Sequence, residues 1–468
     1  MPSRSQETVA GPLPFIALAG FLAVGGALLI AKATPTESLG AGLLIIVLFA
    51  SFLNTELALH IILLSMLLSP EIVVGAVGGV SIGKPSTKAD VLVLRIEDLI
   101  LTVVTFAWLA RTAIFKELGL IRRTPLNAPM FAYIATMVLA TLFGLFFGTV
   151  KPLRGFFFTL KYFEYFVVFF MTVNFIHDER RLKRLLVTAF GTCAISAMIG
   201  IAQIPSGERV GAPFEGKFGE PNTFGGYLVL MLALILAQLL ASRALMPGLG
   251  WLALVALTTL PLLYTLSRSS WLAAVPMLLT LVLLAHRRLL LVSGLTVLIA
   301  LAPFVLPKQV VDRYNYTLNE QVDRGDYRIA GSRLDTSTSA RLDSWRVALK
   351  AWADRPFLGY GVAGFGFIDA QYFRILVEGG LLGFAAFLWL LWTLAQTGLR
   401  ARAALRGGPL EALPVGYLAG LAAMVTHAIG ANTFIIVRIM EPFWFLTGII
   451  VTVLLPPADG PAPPSGRA

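Results

Sequence analysis

Long apolar runs separated by short polar links dominate the chain, and none of them alternates with a period of two. The runs fall at about 12–31, 39–53, 55–70, 97–111, 127–149, 157–176, 185–203, 222–241, 251–266, 270–285, 289–306, 374–398, 412–431 and 435–455. A bilayer core takes about 20 apolar residues per helix. The pattern therefore predicts an all-α polytopic membrane protein with about 14 transmembrane helices (12–14). A β-barrel would show short alternating strands instead. Asn54 and Glu56 are the reason for separating 39–53 from 55–70. The run at 12–31 has spanning length and no small-residue cleavage site before a soluble domain, so it reads as a span.

This pattern divides the chain into residues 1–306 with helices 1–11, a large loop at 307–373, residues 374–455 with helices 12–14, and a tail at 456–468. The tail is rich in Pro, Gly and Ala and is expected to be disordered. Amphipathic helices are expected inside the loop, above all over 338–355. There Leu342, Trp345, Leu349 and Trp352 share one helical face, Thr338 or Ser339 can cap the start, and Pro356 ends it. An apolar face bearing tryptophans, opposite Arg346, Lys350 and Asp354, suits a helix lying on a membrane surface.

Composition sharpens the class. The 468 residues are 57% apolar and 13% charged, with a mean hydropathy of +0.81, which excludes an ordinary soluble enzyme. The net charge of +11 comes largely from short basic links: Arg111–Arg123, Arg180–Arg184, Arg243, Arg287–Arg288 and Arg400–Arg406. With fourteen spans these all fall on one side, which is the cytoplasmic side by the positive-inside rule. Both termini are then cytoplasmic and 307–373 lies outside. Anionic membrane lipids are the expected partners of this charge. Nucleic acid is not, because no basic run interleaves with aromatics. Cys193 is the single cysteine, so there is no intrachain disulfide, and no spacing suggests a metal site.

Charged residues collect at the outer helix ends: Arg95, Glu97 and Asp98; Lys151, Arg154, Lys161 and Glu164; Arg209; Arg268; Arg438 and Glu441. Charge is costly at mid-membrane, where a transporter tends to place it, so this distribution favours a site at the outer face. Arg209 and Lys217 precede Pro221 and Asn222 at a helix start, where free N–H groups attract anions. The alternative there is a plain cap with a solvated arginine. Arg268, between two apolar runs, is either a diphosphate clamp or a snorkelling arginine. Gly359-Tyr-Gly-Val-Ala-Gly364 matches the dinucleotide fingerprint in letters. It lacks the βαβ setting and reads as a flexible loop that turns sharply or lets the chain approach a ligand. Asp369, at the start of the twelfth span, is a candidate general base or a helix N-cap. His427, Asn432, Arg438 and Glu441 straddle the last outer turn.

Taken as an ordered set, the motifs resemble the bacterial O-antigen ligase and O-antigen polymerase superfamily of membrane glycosyltransferases with a C-type (GT-C) architecture. The matching pieces are Leu160-Lys161-Tyr-Phe-Glu164-Tyr165, Arg209 with Phe218-Gly-Glu-Pro-Asn222, Leu266-Ser-Arg268-Ser-Ser-Trp271, Ser339-Ala-Arg341-Leu-Asp-Ser-Trp345, Arg355-Pro-Phe-Leu-Gly-Tyr-Gly361, and Asp369 with Glu378-Gly-Gly-Leu-Leu-Gly383. Where the ligases have a histidine before the helix that follows the loop, this chain has Asp369. In that respect it looks more like the polysaccharide polymerases. The resemblance implies glycan transfer from undecaprenyl diphosphate to a sugar hydroxyl of another lipid-linked unit, at the periplasmic face of the inner membrane. Asp369, Arg209 and Arg268 would be catalytic, and Arg341, Lys161, Lys217, Asn222, Tyr372 and Arg438 would bind substrate or diphosphate. No metal or cofactor is implied. A flippase and a chain-length regulator would be partners. A ligase acting on lipid A core and, in another class, a lipid-linked oligosaccharide flippase are the alternatives.

Overall fold

The structure is a computed structural model that describes residues 35–76, 91–114, 122–176, 178–214, 220–305, 307–319, 328–329, 332–333, 336–366 and 368–455. The expected first span at 12–31, Lys217 and the tail from 456 lie outside the described residues.

The described chain is built almost wholly of helices, as the apolar pattern predicts. Seven are long and apolar enough to cross a membrane: Asn127–Phe146, Pro152–Phe175, Glu179–Ser206, Pro221–Ala241, Leu245–Tyr264, Gln371–Ala404 and Val437–Leu454. Thr55–Leu68, Arg268–Leu284 and Ala412–His427 are apolar but shorter. This is a multi-pass membrane protein. The expected count of fourteen does not follow from it, because several apolar runs fold as helices shorter than a bilayer core.

Contacts divide the chain into two compact units, Met1–Arg122 with Phe170–Thr188, and Arg123–Phe169 with Ala189–Ala468. In the first, helices α1 (Pro35–Leu53) and α2 (Thr55–Leu68) part at Asn54. Its Oδ1 accepts the N–H groups of Glu56 and Leu57 at 2.9 and 3.2 Å, a side-chain cap that explains the split. Helix α3 (Ile96–Ile114) buries Ala107 against Leu48 and Phe52 of α1, and Arg111 donates to the carbonyls of Phe52 and Leu53 at that helix's end. Strands β1 (Glu71–Ala76) and β2 (Val91–Arg95) form an antiparallel ladder. The apolar reading passed over them because each is far too short to span.

The second unit holds α4 (Asn127–Phe146), α5 (Pro152–Lys161), α8 (Pro221–Ala241), α9 (Leu245–Tyr264), α10 (Arg268–Leu284), α11 (Arg288–Val305), α12 (Lys308–Asn319), α13 (Thr336–Asp354), α14 (Gln371–Ala404), α15 (Ala412–His427) and α16 (Val437–Leu454). Helices α6 (Glu164–Phe175) and α7 (Glu179–Gln203) carry the chain between the units. The expected span at 157–176 is thus divided by a turn at Tyr162–Phe163. Helices α8 and α16 are buried over most of their length and form the centre of this unit. Helix α15 lies directly on α8. A Cβ at Gly416 would stand 2.8 Å from Leu234 Cα, and one at Gly420 would stand 2.8 Å from Leu230 Cδ1. Two small residues one turn apart let the backbones approach, the means by which apolar helices associate without a hydrophobic drive between them.

Helix α14 is broken at Gly380, where φ is 62° and ψ is −163°. The break frees backbone groups that must find partners in an apolar setting. The carbonyls of Val377 and Glu378 accept from the N–H of Tyr360 and Gly361, each at 2.9 Å, while Leu381 and Leu382 donate to Pro356 and Phe357 at 2.8 and 3.2 Å. Residues 356–361 therefore brace the interrupted helix. A Cβ on Gly359, at φ +64°, would lie 2.2 Å from the Val377 carbonyl oxygen. The glycine loop makes the sharp turn foreseen for it, but what it approaches is the backbone of α14. The Glu378 carboxylate completes the brace, accepting from Tyr162 Oη at 2.6 Å, Ala363 N at 3.1 Å and Arg374 Nε at 3.2 Å.

Helix α13 starts at Thr336, ahead of the expected caps Thr338 and Ser339, and stops before Pro356 as foreseen. Trp345 and Trp352 are half-buried. They pack on the cluster formed by Ala348, Ile368, Ala370 and Val377, and Trp345 stacks on Phe373 at 4.8 Å. The tryptophans of the face thus pack on the start of α14, a partner that periodicity alone cannot name, while Leu349 remains exposed.

Candidate active site

The turn after α7 ends at Gly207 and sends the chain along the C-terminal end of α9, where Val210 N donates to Tyr264 O at 3.0 Å. Arg209 then donates from Nε to Thr265 O at 2.9 Å and from Nη2 to Leu266 O at 3.3 Å. Carbonyls at a helix end lack intrahelical partners, so the arginine is fixed by satisfying them. Ser267 caps α10 by accepting the Ser270 N–H, and this places Arg268 as the first helical residue.

These residues meet at a small, partly open cavity lined by Arg209, Asn222, Leu266, Arg268, Ser269, Arg313 and Arg341. Arg313 comes from α12, Arg341 from α13, Asn222 from the first turn of α8, and Arg268 with Ser269 from the first turn of α10. Two helix N-termini and four arginines thus converge, a setting made for an anion. Burial, followed by repulsion from Arg313 and Arg341, pushes Arg209 down to about 10, which still leaves it cationic at neutral pH. Cations that repel one another in a half-buried cavity are stabilised when an anion enters.

Asp369 borders this cavity through Arg341, whose Nη2 donates to Oδ2 at 3.1 Å. Burial raises the Asp369 carboxyl above the ordinary carboxylate range, outweighing the opposite pull of Arg341, and Glu220 raises it further. The N-cap of α14 is Ala370, and no side chain caps it. Asp369 is therefore not the helix cap that its position in the sequence also allowed. The turn between α15 and α16 pins the backbone on both sides of it. Asn432 Nδ2 donates to Ile368 O at 2.8 Å, Gln371 N donates to Ala428 O at 3.1 Å, and Phe434 N donates to Gln371 Oε1 at 3.0 Å.

Of the residues expected to act, Arg209, Arg268, Arg341 and Asn222 line one cavity and Asp369 adjoins it. Lys161, Tyr372 and Arg438 do not line it. Lys161 ends α5, Tyr372 donates its hydroxyl to Val425 O at 2.6 Å, and the fully buried Arg438 donates to Pro213 O at 3.3 Å. Arg313 also lines the cavity, although its sequence neighbourhood carries no motif that would single it out. Among the described residues no group of three His, Cys, Asp or Glu is placed to hold a metal ion.

The architecture is that of a multi-pass membrane protein with an arginine-lined cavity built from helix ends and the long loop. Residues 252–388 match the family model described as O-Antigen ligase, a similarity over part of the chain that agrees with the resemblance carried by the motifs. The match includes Arg268, Arg313, Arg341, Asp369 and Gly380, while Arg209 and Asn222 precede it. No curated protein matches the chain.

Proposed function

We propose that the protein is a polysaccharide polymerase that transfers a glycan from undecaprenyl diphosphate to a sugar hydroxyl of a second lipid-linked unit, at the periplasmic face of the inner membrane with both termini cytoplasmic. One observation carries this reading: the arginine cavity and the candidate base share Arg341, which lines the one and pairs with the other at 3.1 Å. The acceptor oxygen attacks the anomeric carbon of the donor sugar. The bond from that carbon to the diphosphate oxygen breaks, and its electron pair leaves with the diphosphate. Arg209, Arg268, Arg313 and Arg341 stabilise the charge that develops there, as preorganised cations do at a leaving anion. Asp369 takes the acceptor's proton. Its raised pKa suits this role, because a base works best when its pKa approaches the working pH. Attack from the face opposite the leaving group inverts the anomeric centre.

Transfer to a lipid A core by a ligase is the second reading, favoured by the description of the matched family model. Synthetic undecaprenyl-diphosphate repeat units incubated with the purified protein test the proposal. A ladder of polymer on the lipid carrier is expected. Arg209→Ala and Arg268→Ala should each cut its formation by about 10- to 100-fold, the worth of a lost charge-assisted contact, with lysine restoring only part. Full activity in both alanine variants, or transfer to lipid A core with no polymer, would overturn it.

A further inference from the structure

His427 takes no part in the chemistry above, yet it is fully buried and joined to the cavity through a file of buried hydroxyls. Its Nδ1 lies 2.8 Å from Thr433 Oγ1 and its Nε2 lies 3.2 Å from Ser270 Oγ. Ser270 Oγ is 2.8 Å from Ser267 Oγ, which donates to Asn222 Oδ1 at 2.8 Å. Thr433, His427, Ser270 and Ser267 are all 0% exposed, so water does not complete their bonding. Asn222, at the end of the file, lines the arginine cavity.

A proton count gives the file a direction. A hydroxyl has one proton to donate. Ser267 spends its proton on Asn222 Oδ1, so the proton between the two serines belongs to Ser270. Ser270 then has none left for His427 and must accept from it. His427 therefore carries its proton on Nε2, and Nδ1 accepts from Thr433. With Oδ1 held inward by Ser267, the Asn222 carboxamide turns its NH₂ toward the cavity. The other tautomer would reverse every link and present the Asn222 carbonyl oxygen to an incoming anion.

The sequence makes room for this file. Gly225 and Gly226 lie inside α8, where glycine is a weaker helix former than alanine. A Cβ on Gly225 would stand 2.3 Å from Ser270 Oγ, and one on Gly226 would stand 3.0 Å from His427 Cε1. The His427–Ser270 bond thus runs against a helix backbone at a place only glycines leave open.

We propose that His427 is a positioning residue: through Ser270 and Ser267 it fixes the Asn222 carboxamide as a hydrogen-bond donor to the phosphate oxygens held in the arginine cavity. The proposal rests on the reading of that cavity as a diphosphate site. It assigns His427 no contact with substrate and no proton transfer during the reaction.

Inorganic pyrophosphate is the probe, with its affinity for the full-length protein in detergent measured by calorimetry. Wild type should bind it, and Arg209→Ala should weaken binding. Asn222→Ala, His427→Leu and Ser267→Ala should each weaken it by about 10-fold or more, as for a lost hydrogen bond to a charged group. His427→Gln should recover most of the loss, because its amide can still donate to Ser270. The decisive measurement is a double-mutant cycle. Adding His427→Leu to Asn222→Ala should cost nothing further, since no carboxamide remains to be aligned. Wild-type affinity in His427→Leu, or losses that add in the double variant, would overturn the proposal. If His427→Leu does not fold, Ser267→Ala carries the same cycle from the cavity side. Absent pyrophosphate binding in wild type, or binding indifferent to Arg209→Ala, the diphosphate reading of the cavity fails and this assignment fails with it. Binding that depends on Arg209 but not on His427 or Ser267 overturns the assignment alone.

Discussion

Arg341 joins the two halves of the proposed chemistry, and replacing it with alanine tests both. The guanidinium lies 3.1 Å from the Asp369 carboxylate, with the two side chains 23% and 33% exposed. Two unit charges about 4 Å apart at an effective dielectric of about 20 attract by roughly 4 kcal/mol. Partial exposure and salt screening bring a pair like this down to about 1 kcal/mol. Loss of the same cation from the cavity removes a charge-assisted contact to the leaving group, worth about 1.5–3 kcal/mol. If both are felt in the transition state, kcat/KM falls by roughly 100-fold or more. The pH profile carries the sharper signal. Asp369 acts as a base only when ionised, so activity is present above its pKa and is lost as pH falls through it. Burial already raises that pKa, and Arg341 is the neighbour that holds it down. Removing Arg341 therefore moves the acid limb of kcat/KM to higher pH. The assay is initial-rate polymerisation of synthetic lipid-linked units across pH, in wild type and Arg341→Ala. An acid limb that stays where it is in wild type would refute the coupling between Arg341 and a catalytic Asp369.

Three other predictions follow from the same geometry. Asp369→Asn should keep the protein folded while cutting turnover by about 10²–10⁴-fold and abolishing the acid limb; near-normal polymer would leave Asp369 as no more than the partner of Arg341. Gly380→Ala puts a Cβ 2.2 Å from the Phe357 carbonyl oxygen at a backbone conformation reserved for glycine, so thermal unfolding in detergent should show a loss of about 3 kcal/mol or more, whereas Gly366→Ala, with nothing within 4 Å, should be neutral. Cysteines placed at Thr338 and Arg402 should be labelled from outside intact cells and only after lysis, respectively; the reverse pattern would invert the proposed orientation.

The sequence by itself determined the class and the chemical inventory. Unbroken apolar runs can satisfy their backbone in a bilayer only as helices, so a multi-pass all-α architecture follows from composition and run length. The arginines at helix starts, the glycine cluster and the aspartate before α14 were legible because each breaks an apolar pattern locally. What they do together was not. Asp369 has the position of a helix cap, and packing of α13 on α14 is what turned it into the partner of Arg341. The tryptophans of α13 have the periodicity of a membrane-surface helix, and the partner that covers them lies more than twenty residues away in sequence, at the start of α14. Arg313 belongs to no motif and joins the cavity because α12 brings it there. The break at Gly380 is stabilised by the segment 356–361, and a glycine pair in a sequence cannot say whether such a brace exists. Local patterns report each segment's preference for apolar or polar surroundings. Which surfaces meet, and therefore which charges share a cavity, is set by long-range packing, and that only the tertiary structure decided.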